Sequence, residues 1–233
     1  KSATIYNGYD PEIVSQVEAV RFDHPAIVYT GALYPPKSVL DPVLRALRVV
    51  LDRRRCGDVR FHYYGPQASL VRQAAEAARV AEHLTLHGYV TRREALAAQA
   101  GADLGVVVAS VESQGNVSTR GIVTGKVFEL IGLGVPILGV AAADSDLKQV
   151  IDVAGGGAVF AGEDIGAMAD YIEQAIHGHC PPRRHPERFA WPNLARELDQ
   201  LLTRVLRRGD AVGSTSLTSV TRRPSRRSSE PQS

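Results

Sequence analysis

One stretch of the sequence carries groups that could hold an anion. Residues 124–140 predict a helix of about two turns, opened by Gly125 and closed by Gly134, that leads into an apolar strand. The first N–H groups of a helix lack partners within the helix and carry partial positive charge. The segment Thr124-Gly125-Lys126, with the backbone amides from Val123 onward, is therefore a predicted seat for an anion.

Glu129 and Lys37 are the side chains whose chemistry suits a polar ligand. Glu129 is the one acid inside that otherwise apolar helix, so it lies either on a solvated face or where a ligand binds. A carboxylate can accept two hydrogen bonds from a vicinal diol such as that of a ribose, and a lysine supplies a point charge for phosphate. Lys37 lies in the loop that follows an apolar strand ending at Gly31.

Several other polar residues have simpler interpretations. His62 and His87 lie at predicted strand ends, where core or supporting roles are favoured over catalysis. Asp103 precedes an apolar strand and is interpreted as a group that caps the strand's start. The segment His177-Gly178-His179-Cys180 matches no common zinc spacing, so no metal site is predicted.

Composition narrows the class of protein. The 233 residues are 44% hydrophobic and carry a formal charge of only +2, which argues against a dedicated nucleic-acid binder. The sequence contains no run of eighteen apolar residues and no signal-peptide pattern, so no transmembrane segment is predicted. Its two cysteines fit a reducing cytosol. Because the chain opens on Lys1 and its one Met is Met168, we expect a fragment of a longer protein.

Strands and helices alternate along most of the chain. Apolar runs end in glycine or turn residues, and amphipathic helical patterns follow them. This order predicts an α/β fold with a Rossmann-like, doubly wound, mostly parallel sheet. Ligands of such sheets bind beyond the carboxyl ends of the strands, where the loops carrying the candidate residues gather.

The predicted organisation has four parts. Residues 1–24 are interpreted as an interdomain connector and 25–180 as the Rossmann-like domain. Residues 181–208 form a linker and a helix from Leu194 to Arg207, and 209–233 form a disordered basic tail.

Two nucleotide-binding motifs are excluded. The first strand is followed by Gly31-Ala32-Leu33-Tyr34-Pro35-Pro36, which lacks the Gly-x-Gly-x-x-Gly pattern of nicotinamide-binding domains. The segment Gly121-Ile122-Val123-Thr124-Gly125-Lys126-Val127 has neither the glycine spacing nor the hydroxyl residue after lysine that a P-loop needs.

Four pieces of the chain, in this order and spacing, give a fairly specific resemblance. They are Ile5-Tyr6-Asn7-Gly8-Tyr9-Asp10-Pro11, Val28-Tyr29-Thr30-Gly31 with Lys37, His87-Gly88-Tyr89-Val90 followed by Ala102-Asp103-Leu104, and Gly125-Lys126-Val127-Phe128-Glu129-Leu130 with Gly134-Val135-Pro136. The chain from about Thr4 to Arg207 resembles the C-terminal, donor-binding domain of GT-B glycosyltransferases of the retaining family 4 (glycosyl transferases group 1).

The resemblance implies a nucleotide diphosphate sugar as substrate and no metal or other cofactor. Glu129 matches the family's ribose-binding glutamate, and Lys37 matches loosely the basic residue near the diphosphate, in the loop begun by Gly31. Backbone amides from Val123 to Gly125 would hold the phosphates at the start of the helix that continues with Lys126. Tyr89 and Val90 lie where the family contacts the base.

The sequence departs from the family pattern in two ways. The family's second glutamate, eight residues before the ribose-binding one, is replaced by Gly121; Glu112 lies nearby and is kept as a candidate contact to the donor sugar, although its spacing does not match. No arginine precedes Lys37 in its loop. The resemblance also implies an N-terminal GT-B domain that binds the acceptor, and we expect that domain to lie outside this chain.

The sequence therefore predicts the donor-binding domain of a bacterial sugar transferase in polysaccharide or glycoconjugate assembly, inactive without its N-terminal domain. Its expected partners are a nucleotide sugar, that missing domain and a glycan, lipid or small-molecule acceptor. Its expected location is the cytoplasm, with the inner-membrane surface as an alternative. Two other functions stay open: a degenerate GT-B domain that acts as an interaction module, and a GT-B-like sugar-nucleotide epimerase.

Overall fold

The computed structural model describes residues 3–36, 39–111 and 117–213 of the chain. The chain divides into two compact units, Lys1–Leu194 and Ala195–Ser233. In the described part of the chain, all strands belong to the first unit, and the second contains most of the last helix.

The described residues form one six-stranded sheet in which every neighbouring pair is parallel. The strands are β1 (Ala26–Thr30), β2 (Arg60–Tyr64), β3 (Leu84–Gly88), β4 (Leu104–Val108), β5 (Ile137–Val140) and β6 (Gly157–Phe160), in the order β3-β2-β1-β4-β5-β6. Every residue of β1, β4 and β5 is buried, as their continuous apolar runs predict for strands covered on both faces. The predicted Rossmann-like α/β sheet is confirmed.

Helices connect the strands. They are α1 (Pro11–Ser15), α2 (Asp41–Arg53), α3 (Ala68–Ala77), α4 (Arg92–Ala100), α5 (Val117–Arg120), α6 (Gly125–Leu133), α7 (Asp146–Ala154), α8 (Ile165–Ile176) and α9 (Trp191–Gly213). Helices α2, α3 and α8 pack into one core with β1, β2 and β4, and α6 and α7 pack into a second core with residues of β4 and β5. The sheet is thus wound on both sides, which brings the loops after β1, β3 and β4 to its carboxyl edge.

Helix α1 was not predicted, because its turn chemistry indicates a connector. Asp10 caps it by accepting hydrogen bonds from the N–H groups of Glu12, at 2.9 Å, and Ile13, at 3.4 Å. Pro11 occupies the first helical position, where its missing N–H costs nothing. Asp-Pro therefore starts a helix here as readily as it makes a turn.

The segment before α1 is fixed against α6. The N–H of Tyr9 donates to the carbonyl of Phe189 at 2.9 Å, and the N–H of Trp191 donates to the carbonyl of Tyr9 at 2.9 Å. The Tyr9 ring lies so close to Gly132 that a Cβ there would come within 2.6 Å of it. The predicted connector thus helps to hold α6 in place.

Helix α9 is longer than predicted. It begins at Trp191 and continues to Gly213, beyond the expected Leu194–Arg207 and into the range where the tail was expected to begin. Residues 214–233 lie outside the described residues. Within the second unit, exposed apolar side chains recur along the helix at Leu198, Leu202, Val205 and Leu206.

Asp103 has the capping role that the sequence predicts. Its Oδ2 accepts a hydrogen bond of 2.8 Å from the N–H of Ala26, the first residue of β1. The carboxylate therefore joins the starts of two neighbouring strands, β1 and β4.

Three imidazoles form a hydrogen-bonded row across the start of β1, the middle of β2 and the end of β3. His24 Nε2 lies 2.8 Å from His62 Nε2, and His62 Nδ1 lies 3.0 Å from His87 Nε2. Asp23 Oδ1 lies 2.5 Å from the other nitrogen of His24, and Tyr64 stacks on His87 at 3.9 Å between ring centroids. In the neutral state each imidazole can donate one hydrogen bond and accept another along this row.

His62 is the buried member of the row, with 4% of its surface exposed. Burial, followed by the neighbouring charges of His87, His24 and Arg60, lowers the pKa of His62 from 6.5 to about 4. Burial also lowers the pKa of His87. The position of His62 in the core agrees with the predicted supporting role.

We expect the free energy of unfolding to fall as the pH is lowered from 6.5 to about 4. Within this window the unfolded chain binds a proton at residue 62 that the folded chain does not bind, because the folded pKa is the lower one. The stabilisation from neutral His62 is complete above pH 6.5 and is lost as the pH approaches 4. Across the window the loss is about 3 kcal/mol, measurable by urea unfolding at a series of pH values.

The variant His62→Asn should flatten this dependence, and His177→Asn, at an exposed histidine beyond α8, should retain it. Equal pH dependence in wild type and His62→Asn would contradict the assignment.

Candidate functional site

Helix α6 begins and ends where the sequence predicts. Thr124 is its N-cap in an extended conformation, and Gly134 ends it in the left-handed region at φ +76°. The Thr124 side chain makes no capping hydrogen bond, and its hydroxyl oxygen is buried without a partner among the described residues. The N–H of Val127 donates to the carbonyl of Thr124 at 3.2 Å, so the groups of this helix start that could accept a ligand are the N–H groups before Val127 and the Thr124 hydroxyl.

A cavity of about 380 Å³ lies at the carboxyl ends of β1 and β4, against the start of α6. Of the predicted site residues, the structure brings Gly31, Thr124 and Lys126 together in its wall. The full lining is Tyr29, Gly31, Ala32, Tyr34, Val108, Ala109, Ile122, Thr124 and Lys126. Val123 packs into the core beneath α6, and Gly125 lies at the exposed start of that helix.

Lys126 supplies the cation of this cavity. Its ammonium donates a hydrogen bond of 3.0 Å to the Tyr29 hydroxyl and lies 4.1 Å from the centroid of the Tyr29 ring. Burial lowers the pKa of Lys126 to about 8, and the charge of Glu129 opposes that shift. At neutral pH the ammonium is still mostly protonated, so the cavity contains a poorly solvated positive charge.

Gly31 makes room for this lysine. Its φ of +104° lies where side chains other than glycine are strained, and a Cβ at this position would come within 3.0 Å of Lys126 Nζ. The glycine that ends β1 therefore serves the site through both its conformation and its size.

Glu129 lies one turn beyond Lys126 and is paired with a residue of α4. Its Oε1 accepts hydrogen bonds from Arg92 Nε at 3.3 Å and from Nη2 at 3.2 Å. The Glu129 side chain is 25% exposed and that of Arg92 is 64% exposed. The carboxylate is thus neither buried in the apolar core nor fully solvated.

The turn between β3 and α4 places the other predicted contacts on the same edge of the sheet. Val90 is partly buried against a small cluster that includes Val28, Tyr64 and Ala98. The ring of Tyr89 is 88% exposed. Neither residue lines the cavity. The contact between this turn and α6 is made by Arg92, at the start of α4, which pairs with Glu129.

Two predicted site residues, Lys37 and Glu112, lie outside the described residues. The roles predicted for them stay predictions. The loop after β1 contains no arginine, and the cation in the cavity, Lys126, comes from α6.

Sequence reasoning missed three residues at the site. Tyr29 lies beneath the lysine, Arg92 pairs with Glu129, and the Asn7 amide nitrogen would lie 3.9 Å from a Cβ at Gly125. Asn7 and Tyr29 lie in segments that carry the family resemblance, and Arg92 had a signal of its own, since arginine at the first position of a helix opposes the helix dipole.

A comparison with protein families identifies the family of the chain. The family model for glycosyl transferases group 1 matches residues 24–177. The chain belongs to that family. Membership in this family supports a sugar-transferring function.

Several solved structures share the fold of this chain at low sequence identity. The lipopolysaccharide outer core galactosyltransferase WaaB matches with a TM-score of 0.59 and 11% identity over 86% of this chain and 55% of its own. A glycosyltransferase from Rickettsia africae ESF-5 matches with a TM-score of 0.58 and 12% identity over 87% and 56%. The pneumococcal O-GlcNAc transferase GtfA, solved with UDP and GlcNAc, matches with a TM-score of 0.52 and 14% identity over 82% and 38%.

This chain thus spans between 38% and 56% of the length of these three structures. A search of curated proteins finds no match. Within the described residues, none of the helices has the length and apolar character needed to cross a membrane.

We expect the ammonium of Lys126 to titrate near pH 8 rather than near 10.5. Removal of the charged group from water disfavours the protonated form, and Tyr29 compensates only in part. NMR of the chain labelled with ¹³C-lysine, with Lys126→Met to assign the signal, measures the midpoint. A midpoint close to 10.5 would contradict the burial of this charge.

Proposed function

We propose that this chain binds the nucleoside diphosphate of a sugar-nucleotide donor for retaining glycosyl transfer. The observation that carries the proposal is the pairing, in one cavity, of the largely desolvated ammonium of Lys126 with the Thr124 hydroxyl, which has no partner among the described residues. Both groups gain from an anion, and both lie at the N-terminal end of a helix that starts at the carboxyl edge of the sheet.

The diphosphate is assigned to the cavity beside Lys126. A desolvated ammonium has three donors, and the one hydrogen bond described for this group goes to Tyr29. A phosphate oxygen would accept from the ammonium, from the Thr124 hydroxyl and from the amides of residues 123–125. This set stabilises the negative charge that grows on the leaving diphosphate as the sugar departs. The counter-charge comes from the protein, and we assign no separate metal or cofactor.

The nucleoside is assigned to the residues beside the cavity. Glu129, one turn further along α6, would accept hydrogen bonds from the ribose hydroxyls. The exposed ring of Tyr89 and the partly buried Val90 would contact the base. Lys37 and Glu112 remain candidates for the diphosphate and the donor sugar, respectively.

The acceptor belongs to the wider protein. WaaB, with a similar fold, is a galactosyltransferase of the lipopolysaccharide outer core. By analogy we propose a glycan, lipid or small-molecule acceptor in bacterial polysaccharide assembly, on the cytoplasmic side of the inner membrane or in the cytoplasm. Because the chain spans only part of the structures that it matches, we propose that turnover requires a second, N-terminal GT-B domain.

Two other functions fit the fold. A degenerate domain that serves as an interaction module is favoured by Gly121 in place of the family's sugar-binding acid. Unchanged activity of the complete transferase after Glu129→Ala would support it. A sugar-nucleotide epimerase would convert the donor without any acceptor, so incubation of the complete protein with the donor alone separates it from a transferase.

Isothermal titration calorimetry with UDP, GDP and ADP tests the proposal. We expect one of them to bind, and Glu129→Gln and Lys126→Gln each to weaken that binding about tenfold or more, as expected for loss of a hydrogen bond to a charged group. The matched control is Glu76→Gln, an exposed glutamate on α3 away from the carboxyl edge.

The proposal is overturned when none of the three nucleotides binds a wild-type chain that is folded by circular dichroism. Equal weakening by Glu76→Gln would also remove the assignment to this cavity.

A further inference from the structure

Helix α4 starts with two arginines, Arg92 and Arg93, directly after its N-cap, Thr91. Positive charge in the first turn opposes the helix dipole. Glu94, the acid of that turn, offsets only part of this positive charge: as the carboxylate of a capping box it accepts from the Thr91 N–H at 2.8 Å and the Thr91 hydroxyl at 2.7 Å, which leaves two cations against one anion. Such a conflict with local preference is expected at functional positions.

Arg92 resolves this conflict across the site rather than within its own helix. Its Nε and Nη2 both donate to one oxygen of Glu129, Oε1, at 3.3 and 3.2 Å. The other oxygen, Oε2, has no hydrogen bond among the described residues. The guanidinium therefore fixes one side of the carboxylate and leaves the other side for a ligand.

Glu129 has a second cation within electrostatic reach, since its charge raises the pKa of Lys126 against the effect of burial. Residues three apart on a helix lie on one face, so the carboxylate could turn toward the Lys126 ammonium. That turn would occupy the cation assigned to the diphosphate and remove the acceptor assigned to the ribose. The ion pair with Arg92 opposes it.

We infer that Arg92 is a positioning residue that holds the Glu129 carboxylate for the hydroxyls of the donor ribose. The inference rests on the proposed function and extends it, because it assigns the discrimination of ribose from deoxyribose to a pair of residues on two helices. Arg92 acts through Glu129 and need not contact the nucleotide.

The test compares a ribonucleotide with its deoxy forms. Dissociation constants of UDP, 2′-deoxy-UDP and 3′-deoxy-UDP are measured by calorimetry for wild type, Arg92→Gln, Arg92→Lys and Glu129→Gln; the corresponding GDP or ADP series replaces them if that base is the one that binds. We expect wild type to prefer the ribonucleotide about tenfold or more, the value of a hydrogen bond to a carboxylate.

In Arg92→Gln this preference should fall to about threefold or less, while the affinity for the deoxy forms stays within about twofold of wild type. Arg92→Lys should give an intermediate preference, because lysine keeps the charge but lacks the planar fork of donors. Arg93→Gln is the matched control and should keep the wild-type preference, since it removes an arginine from the same turn outside this ion pair.

The outcomes distinguish failure of the inference alone from failure of the proposed function. A preference that Glu129→Gln abolishes and Arg92→Gln leaves intact overturns the inference alone. Equal weakening of ribo and deoxy forms by Arg92→Gln also overturns it, because it indicates a general effect of charge or folding. Absence of nucleotide binding in folded wild type overturns the proposed function and the inference together.

Discussion

Burial of the Lys126 ammonium beside Tyr29 is the interaction on which the arrangement of the site depends. A charged group taken out of water must be repaid by a partner, and the Tyr29 hydroxyl and ring provide only a neutral one. Gly31 leaves space for the lysine side chain, and residues at the ends of β1 and β4 form the wall of the cavity around it. A bound anion would supply the negative charge that the buried ammonium lacks. The same group that stabilises the folded lysine is therefore the ligand that the site is proposed to bind.

The sequence was sufficient for the architecture because the relevant signals are local. Apolar runs ended by glycine predicted the parallel strands, and the pattern from Gly125 to Gly134 predicted α6 with its observed bounds. Local signals failed where two structures share the same chemistry. Asp10-Pro11 can begin a turn or a helix, and here it begins α1. The helix that ends the described chain continues past Gly209 to Gly213, because a single glycine weakens a helix by only about 1 kcal/mol and does not stop it.

The site was predictable in its backbone and less so in its side chains. Thr124, Lys126 and Glu129 follow from the helix itself, whereas their partners come from distant parts of the chain. Tyr29 and Arg92 contact α6 across 97 and 37 residues of sequence, respectively. No periodicity encodes such contacts, which depend on the order of strands in the sheet. The helix dipole made Arg92 unusual, but only the structure shows Glu129 as its partner.

The spacing of Lys126 and Glu129 would allow one helix to bind two parts of a ligand. Side chains three apart on a helix have Cβ atoms about 5–6 Å from each other, so a cation and an acceptor stand side by side. Left alone, the two would neutralise each other, and neither would be free for a ligand. Contacts from other elements compete with this pairing. Arg92 of α4 forms an ion pair with Glu129, and Tyr29 of β1 accepts a hydrogen bond from Lys126. Lys126 and Glu129 therefore each have a partner outside α6, and under the proposed function each binds its own part of the donor.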